Sequence, residues 1–441
     1  MDKDVLRPIN MDFYFPKRVV KMAMTIGIPL LIFSCKTLDG NKLNHQISKK
    51  IISKMADDHF QGILIYDPQS RDTLYDHNGQ KYFIPASNTK IFTLYAALKT
   101  LPDKIPALRY LVQNDTLYME GTGDPTLLHP FFKDSTVLKL AAPYTHIALS
   151  LNNYKENAFG PGWAWEDYDR YYSAERSAFP IYGNVVSIHN TDSLEVIPSY
   201  FKENVIPIKY IRNREWNLNA FYFDPDGKDT LEIPFIGDST LVKILLETEL
   251  HKKIRLVPNL PPIPKRTLYS IPSDSLYKRM MYESDNFLAE QLLILASSTL
   301  SDTLNSALAR EHMLNTHLTQ LRQRPKWVDG SGLSRYNLFT PRSMVYVLDR
   351  MYREIPRERL LQLFPAGGES GTLKNSFKGS GEPYIYAKSG SLGNIYNLSG
   401  YLITHSGRTL IFSFMNNNFT KNPSEIRDIM QSVFEWYRDH Y

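Results

Sequence analysis

Pro85-Ala86-Ser87-Asn88-Thr89-Lys90, followed by Ile91-Phe92-Thr93-Leu94-Tyr95-Ala96-Ala97-Leu98, is the stretch on which the reading of this chain turns. The run after Lys90 is apolar nearly all round, which predicts a helix buried on every side rather than one lying on a surface. Ser87 stands at its first turn, beside unpaired backbone N–H groups and the positive end of the helix dipole. Lys90 follows three residues on, on the same face. Burial disfavours the ammonium, and a second cation nearby lowers its pKa further, which makes a neutral amine accessible. A serine hydroxyl beside such a base is a candidate nucleophile. Taken alone, the same pattern reads as a helix cap followed by a lysine that snorkels.

Two more short motifs follow in order. Ser284-Asp285-Asn286 precedes Phe287-Leu288-Ala289-Glu290, and Leu292, Leu293 and Leu295 continue the apolar pattern. A helix there sets Ser284 and Asn286 at its start, presented toward a cleft; alone, the motif reads as an N-cap. Lys388-Ser389-Gly390 ends the strand-like Tyr384-Ile385-Tyr386-Ala387, and residues 396–403 and 409–414 alternate as paired antiparallel strands should. Gly390 suits a close approach to the strand backbone. Alone, Lys388 reads as a solvated strand-end lysine. Decoys exist: Ser199 with Lys202 and Ser275 with Lys278 repeat the first spacing, and Ser150-Leu151-Asn152 repeats S-x-N. The first decoy lies in a polar stretch after Pro198, and the second on an amphipathic pattern with Lys278 and Arg279. Neither has a buried helix behind it. S-x-x-K, S-D-N and K-[ST]-G in this order, each in a fitting element, form a specific joint signal: nucleophile, base, proton shuttle and a cation for a carboxylate.

On these motifs the chain resembles the low-molecular-mass class C penicillin-binding proteins, the D-alanyl-D-alanine carboxypeptidase/endopeptidase family. Gly121-Thr122-Gly123-Asp124-Pro125-Thr126-Leu127, Asp329-Gly330-Ser331-Gly332-Leu333-Ser334-Arg335 with Thr340-Pro341, and Gly371-Thr372-Leu373 resemble further family segments. The likeness runs from about residue 45 to the end of the chain. Ser389 departs from the family's usual threonine but keeps a hydroxyl. The resemblance implies an α/β fold, that of the penicillin-recognising serine hydrolases, with an antiparallel sheet flanked by helices and a helical lobe facing it. It also implies that Ser87 attacks a D-Ala-D-Ala peptide bond of peptidoglycan stem peptides to form an acyl-enzyme, with Lys90 as base. Ser284 and Lys388 then relay the proton to the leaving amine, and Asn286 orients the substrate amide. Ser389, Gly390 and Ser391 bind substrate, with the Ser391 N–H and the Ser87 N–H as oxyanion hole. β-Lactams are expected as covalent inhibitors, and no cofactor or metal is called for. A β-lactamase or esterase of the same fold, or a non-catalytic cell-wall-binding protein, remains as an alternative.

About 200 residues separate Ser87 from Ser284, too many for one helix and a loop in a compact domain. Residues 106–264 carry their own strand-like runs, at 144–149 and 217–222, and a helix-like run at 239–246. They read as an inserted domain, which leaves 45–105 and 265–441 as the catalytic core. The run Pro258-Asn259-Leu260-Pro261-Pro262-Ile263-Pro264 marks the expected return.

Lys17, Arg18 and Lys21 precede an apolar run from Met22 to Phe33, too short to span a bilayer and suited to a signal peptide over residues 1–35. Leu31-Ile32-Phe33-Ser34-Cys35 resembles a bacterial lipoprotein signal, which implies an extracytoplasmic protein held on the membrane by lipid on Cys35. Ordinary secretion with removal of Cys35 is the alternative. Cys35 is the only cysteine, which excludes an intrachain disulfide. A net charge of +5 without a basic run gives no sign of a nucleic-acid partner. Glu311-His312-Met313-Leu314-Asn315 matches the E-x-x-L-N pattern of class A β-lactamases. Its apolar-periodic surroundings place Glu311 on the solvated face of a helix.

Overall fold

The computed structural model describes residues 59–190, 193–227 and 230–441. The signal segment and Cys35 lie outside them. The part of the chain outside the inserted region is built from β1 (Phe60–Asp67), β2 (Asp72–His77), α1 (Thr89–Thr100), α2 (Ser273–Tyr282), α3 (Asn286–Ser298), α4 (Pro341–Glu354), β3 (Ile385–Leu392), β4 (Ile395–Ile403), β5 (Thr409–Asn417) and α5 (Pro423–His440), called the core below.

The five strands form one antiparallel sheet in the order β3-β4-β5-β1-β2, so the first and the last strand of the described residues pair near its centre, with Ile63 opposite Phe414. Successive side chains point to opposite faces, and both faces of the central strands are covered. Ile63, Ile65, Phe412 and Phe414 pack with Ile426, Met430 and Phe434 of α5. On the other face Leu64, Ile411, Met415 and Tyr401 join Met344, Val347 and Leu348 of α4 and the apolar run of α1. α1 is buried from Thr89 to Ala97, as its all-round apolarity requires. Phe92 on α1 meets Phe339 and Trp327 edge to face, with ring centroids 4.7 and 5.5 Å away. Truncating it to alanine costs about 3–5 kcal/mol. α3 is buried from Phe287 to Ser298 and runs through the same core.

The inserted region has a separate apolar core that includes Leu108, Leu117, Ile147, Phe201, Ile233 and Leu245. Its main sheet runs Ile254–Leu256, His146–Ser150, Thr116–Gly121, Lys104–Gln113 and Arg266–Pro272 in spatial order. Arg266–Pro272 pairs antiparallel with Lys104–Gln113, so this sheet reaches beyond 106–264 at both ends. The chain re-enters the core at Ser273, after the proline run and one more strand. Of residues 217–222 only Phe221–Tyr222 is a strand. Asn219 is tied by its side chain instead, which exchanges two hydrogen bonds with the Ile236 backbone. The run at 239–246 is the helix Ser239–Leu250, capped by Asp238.

Candidate active site

Ser87 sits in a single 3₁₀ turn, Ala86–Asn88, that leads into α1. The turn is clamped from two sides. Gly390 of β3 lies where a Cβ would come within 2.6 Å of the Pro85 carbonyl oxygen. Gly332, at φ +89°, lies where a Cβ would overlap the Ala86 carbonyl. Ala86 itself has φ +48°, a left-handed conformation that only a fixed surrounding holds. Asn88 donates from Nδ2 to the Lys388 carbonyl at 2.7 Å. Asn397 and Asn417 both donate to the Ile84 carbonyl.

Lys90 is fully buried, and its Nζ meets three oxygens: Ser87 Oγ at 3.0 Å, Asn286 Oδ1 at 2.6 Å and the Ser331 carbonyl at 2.7 Å. Burial lowers its pKa to about 8 against the opposing pull of Asp285, Asp329 and Glu290. The expected effect of a second cation falls on the other lysine. Lys388 is held well below the ordinary lysine range first by burial and then by the charge of Lys90.

The second motif caps α3 through Asp285, whose carboxylate accepts the Leu288 N–H. That leaves Asn286 as the first helical residue, bridging Lys90 on one side and the Tyr172 carbonyl, at 3.1 Å, on the other. Ser284 adopts φ +57° just ahead of the cap. Its side chain lines a cavity of about 180 Å³ together with Asn286, Tyr171, Tyr172, Arg279 and His129. No hydrogen bond joins the Ser284 hydroxyl to Ser87 or Lys90.

Lys388, Ser389, Gly390 and Ser391 lie on β3, the edge strand. Ala387 donates its N–H outward, to the Pro365 carbonyl at 3.0 Å. By the two-residue alternation of a strand, the N–H groups of Ser389 and Ser391 face the same open edge. Lys388 Nζ donates to the Ser389 carbonyl at 2.7 Å, and no carboxylate among the described residues pairs with it. The Ser389 hydroxyl donates to Thr372 Oγ1 at 2.8 Å, so the G-T-L segment supports the position where the family has threonine.

Ser87, Lys90 and Asn286 are thus joined by hydrogen bonds, and Lys388 is coupled to them through Asn88 and by charge. The decoys lie elsewhere: Ser199, Lys202, Ser275 and Lys278 are exposed, as is Glu311. Sequence reading passed over three contributors. Asn88 was a filler inside S-x-x-K. The Ser331 and Tyr172 carbonyls are backbone groups and leave no mark in residue identity. The glycines at 330 and 332 were the available signal for the first, since they mark a loop pressed against other backbone.

Compared with known families, the chain matches the model described as the D-Ala-D-Ala carboxypeptidase 3 (S13) family over residues 43–202 and 262–439. It is 22% identical to the D-alanyl-D-alanine carboxypeptidase DacB of Haemophilus influenzae, over 86% of this chain and 90% of the relative. To the D-alanyl-D-alanine carboxypeptidase of Actinomadura sp. (strain R39) it is 23% identical, over 86% and 82%. Its fold is similar to the crystal structure of penicillin binding protein 4 (dacB) from Haemophilus influenzae, with TM-score 0.71 at 20% identity, covering 89% of this chain and 99% of that one.

Proposed function

Given that the chain belongs to the D-Ala-D-Ala carboxypeptidase 3 (S13) family, we propose that Ser87 is its nucleophile and Lys90 its base. The enzyme is a penicillin-binding serine carboxypeptidase/endopeptidase that acts on peptidoglycan stem peptides. The observation that carries the residue assignment is the three-way bond set at Lys90 Nζ. A neutral amine has two N–H groups and one lone pair. Asn286 Oδ1 and the Ser331 carbonyl can only accept, so they take both N–H groups and leave the lone pair facing the Ser87 hydroxyl. Ser87 Oγ then adds to the carbonyl carbon of the D-Ala-D-Ala bond as its proton passes to Lys90. The oxyanion forms against the N–H groups of Ser87 and Ser391. Collapse breaks the C–N bond, and the proton taken up by Lys90 is relayed through Ser284 and Lys388 to the departing D-alanine amine. Water next attacks the ester, and its proton passes by way of Lys90 to Ser87 Oγ as the acyl–oxygen bond breaks. Lys388, with the Ser389 hydroxyl, holds the substrate carboxylate, whose negative charge restores the ammonium that burial disfavours.

Labelling with a fluorescent penicillin, followed by mass spectrometry of the modified peptide, tests the assignment. The adduct belongs on Ser87 and disappears in Ser87→Ala; an adduct on Ser199 or Ser275 refutes it. Release of D-alanine from a stem peptide, against turnover of nitrocefin, separates the peptidase from a β-lactamase.

The enzyme's substrate places its action outside the cytoplasm. Lipid on Cys35 would hold it at the membrane surface, two acyl chains supplying the stable anchoring that one does not. Cys35→Ala should release the protein into the soluble extracytoplasmic fraction, and a wild type already soluble after lysis removes the anchor.

A further inference from the structure

Glu290 is fully buried in α3, one turn beyond Asn286, and the proton transfer just described makes no use of it. A carboxylate in such a place is costly unless each oxygen is paired. Its Oε1 accepts two consecutive backbone N–H groups, Gly330 at 2.9 Å and Ser331 at 2.7 Å. Its Oε2 faces Arg176 Nη1 at 3.5 Å. The carbonyl of that same Ser331 is the one that meets Lys90 Nζ. Two other contacts fix the loop: Thr93 Oγ1 donates to the Gly330 carbonyl at 2.6 Å, and a Cβ on Gly330 would overlap the Ala289 carbonyl of α3.

We propose that Glu290 is a positioning residue for the acylation base: by gripping the Gly330 and Ser331 N–H groups it aims the Ser331 carbonyl at Lys90 and so turns the amine's lone pair onto Ser87. The proposal rests on Lys90 being the base. α3 then orients Lys90 twice, directly through Asn286 and at one remove through Glu290.

Charge adds a second effect. Lys90 is faced by the carboxyl groups of Asp285, Asp329 and Glu290 and by the Lys388 amine. Glu290 is faced by Asp329 and Arg176, and both Arg310 and Glu156 lie beside the same group. Burial, then Asp329, raises the Glu290 pKa, with Arg176 and then the Ser331 hydroxyl and N–H opposing. When ionised, its negative charge favours the Lys90 ammonium. Acylation needs the neutral amine, so its rate falls as pH drops through the Lys90 pKa. Removing the Glu290 charge lowers that pKa and moves the acid limb to lower pH.

The test measures the second-order acylation rate with a fluorescent penicillin across pH in wild type, Glu290→Gln and Glu156→Gln. Glu156 sits on the other side of Arg176, 3.4 Å from Nη1, and does not touch the 330–331 loop. Glutamine at 290 keeps the shape, but one of its amide groups faces Arg176 with the wrong polarity and the grip on the loop slackens. The expected result for Glu290→Gln is a rate about 10-fold lower at the optimum, with the acid limb moved down by about one pH unit. Glu156→Gln should keep the wild-type rate and limb, whatever it does to the melting temperature. A Glu290→Gln variant with the wild-type rate and limb, or one indistinguishable from Glu156→Gln, overturns the proposal. If Glu290→Gln does not fold, Thr93→Val loosens the same loop without altering charge. It should lower the rate several-fold with the limb unmoved, and a wild-type rate there overturns the pinned carbonyl.

Discussion

The core and the insert serve one site by different means. The core supplies every side chain proposed to touch the substrate: Ser87, Lys90, Ser284, Asn286, Lys388 and Ser389. From the insert come a backbone carbonyl at Tyr172, the Trp163 N–H on Asp329 and the Arg176 guanidinium beside Glu290. Trp163 Nε1 donates to Asp329 Oδ2 at 3.0 Å, and the same carboxylate accepts the N–H groups of Gly332 and Ser334. Aromatic groups further out on the insert, such as Trp165 and Trp216, stand exposed against one another. The division teaches that reactive groups are placed by deeply buried elements, while the insert braces the loop those elements lean on. Buried polar groups that are fully paired hold one geometry.

The largest expected effects fall in the core. Lys90→Ala and Lys388→Ala should each slow penicillin acylation by roughly 10²-fold or more, the scale for losing a positioned proton-transfer or electrostatic group. In wild type the rate should climb as pH rises through about 8, where Lys90 loses its proton. Stopped-flow acylation rates give both readings. A Lys90→Ala variant that acylates at the wild-type rate would move the base out of α1 altogether.

A smaller effect is expected where the insert meets the core. Trp163→Phe removes one donor from the Asp329 carboxylate and keeps an aromatic ring in place. The lost bond to a charged acceptor is worth about 1.5–3 kcal/mol, spread over a carboxylate that retains the Gly332, Ser334 and Asn337 donors. Acylation should fall by less than about 10-fold, with a lowered melting temperature. A loss as deep as that of Lys90→Ala would erase the distinction between acting and bracing.

The same division explains what could be read from residues alone. The contact between Ser87 and Lys90 was legible because a helix fixes what lies three positions on, and neither decoy had a buried helix behind it. Gly390 was legible as a point that another backbone approaches, and Pro85 and Asn88 are what approaches; Lys388 is buried inside β3 rather than standing at its end. The boundary of the insert was not legible. Arg266–Pro272 is largely exposed and lacks a clean alternation, so the proline run before it looked like the end of the module. Asn217–Ala220 read as strand but makes no ladder; the Asn219 side-chain amide bonds the Ile236 backbone in its place. Glu290 had a signal that went unused. A carboxylate inside a helix apolar on every side has to be paired, and the partner could only be a loop or a cation from elsewhere in the fold.

The smallest effect is expected at Glu311, which carries a catalytic-looking pattern in the core without the geometry. Rapid β-lactam hydrolysis by class A enzymes relies on a glutamate that activates the deacylating water. Glu311 lies near the end of the short helix Ser306–His312, exposed to solvent, and no hydrogen bond joins it to Ser87, Lys90 or Asn286. Glu290 shares a helix with Asn286, yet both its oxygens face groups other than the nucleophile: Oε1 two backbone N–H groups, Oε2 Arg176. With neither of these carboxylates poised over the ester, a penicilloyl group on Ser87 should persist for minutes or longer. Glu311→Gln should leave that lifetime unchanged when the adduct is followed by intact-protein mass spectrometry after a penicillin pulse. A clear lengthening in the glutamine variant would mean that this surface helix reaches the acyl group during turnover, and the site would then have to close by a movement that the hydrogen bonds around Ser87 do not suggest.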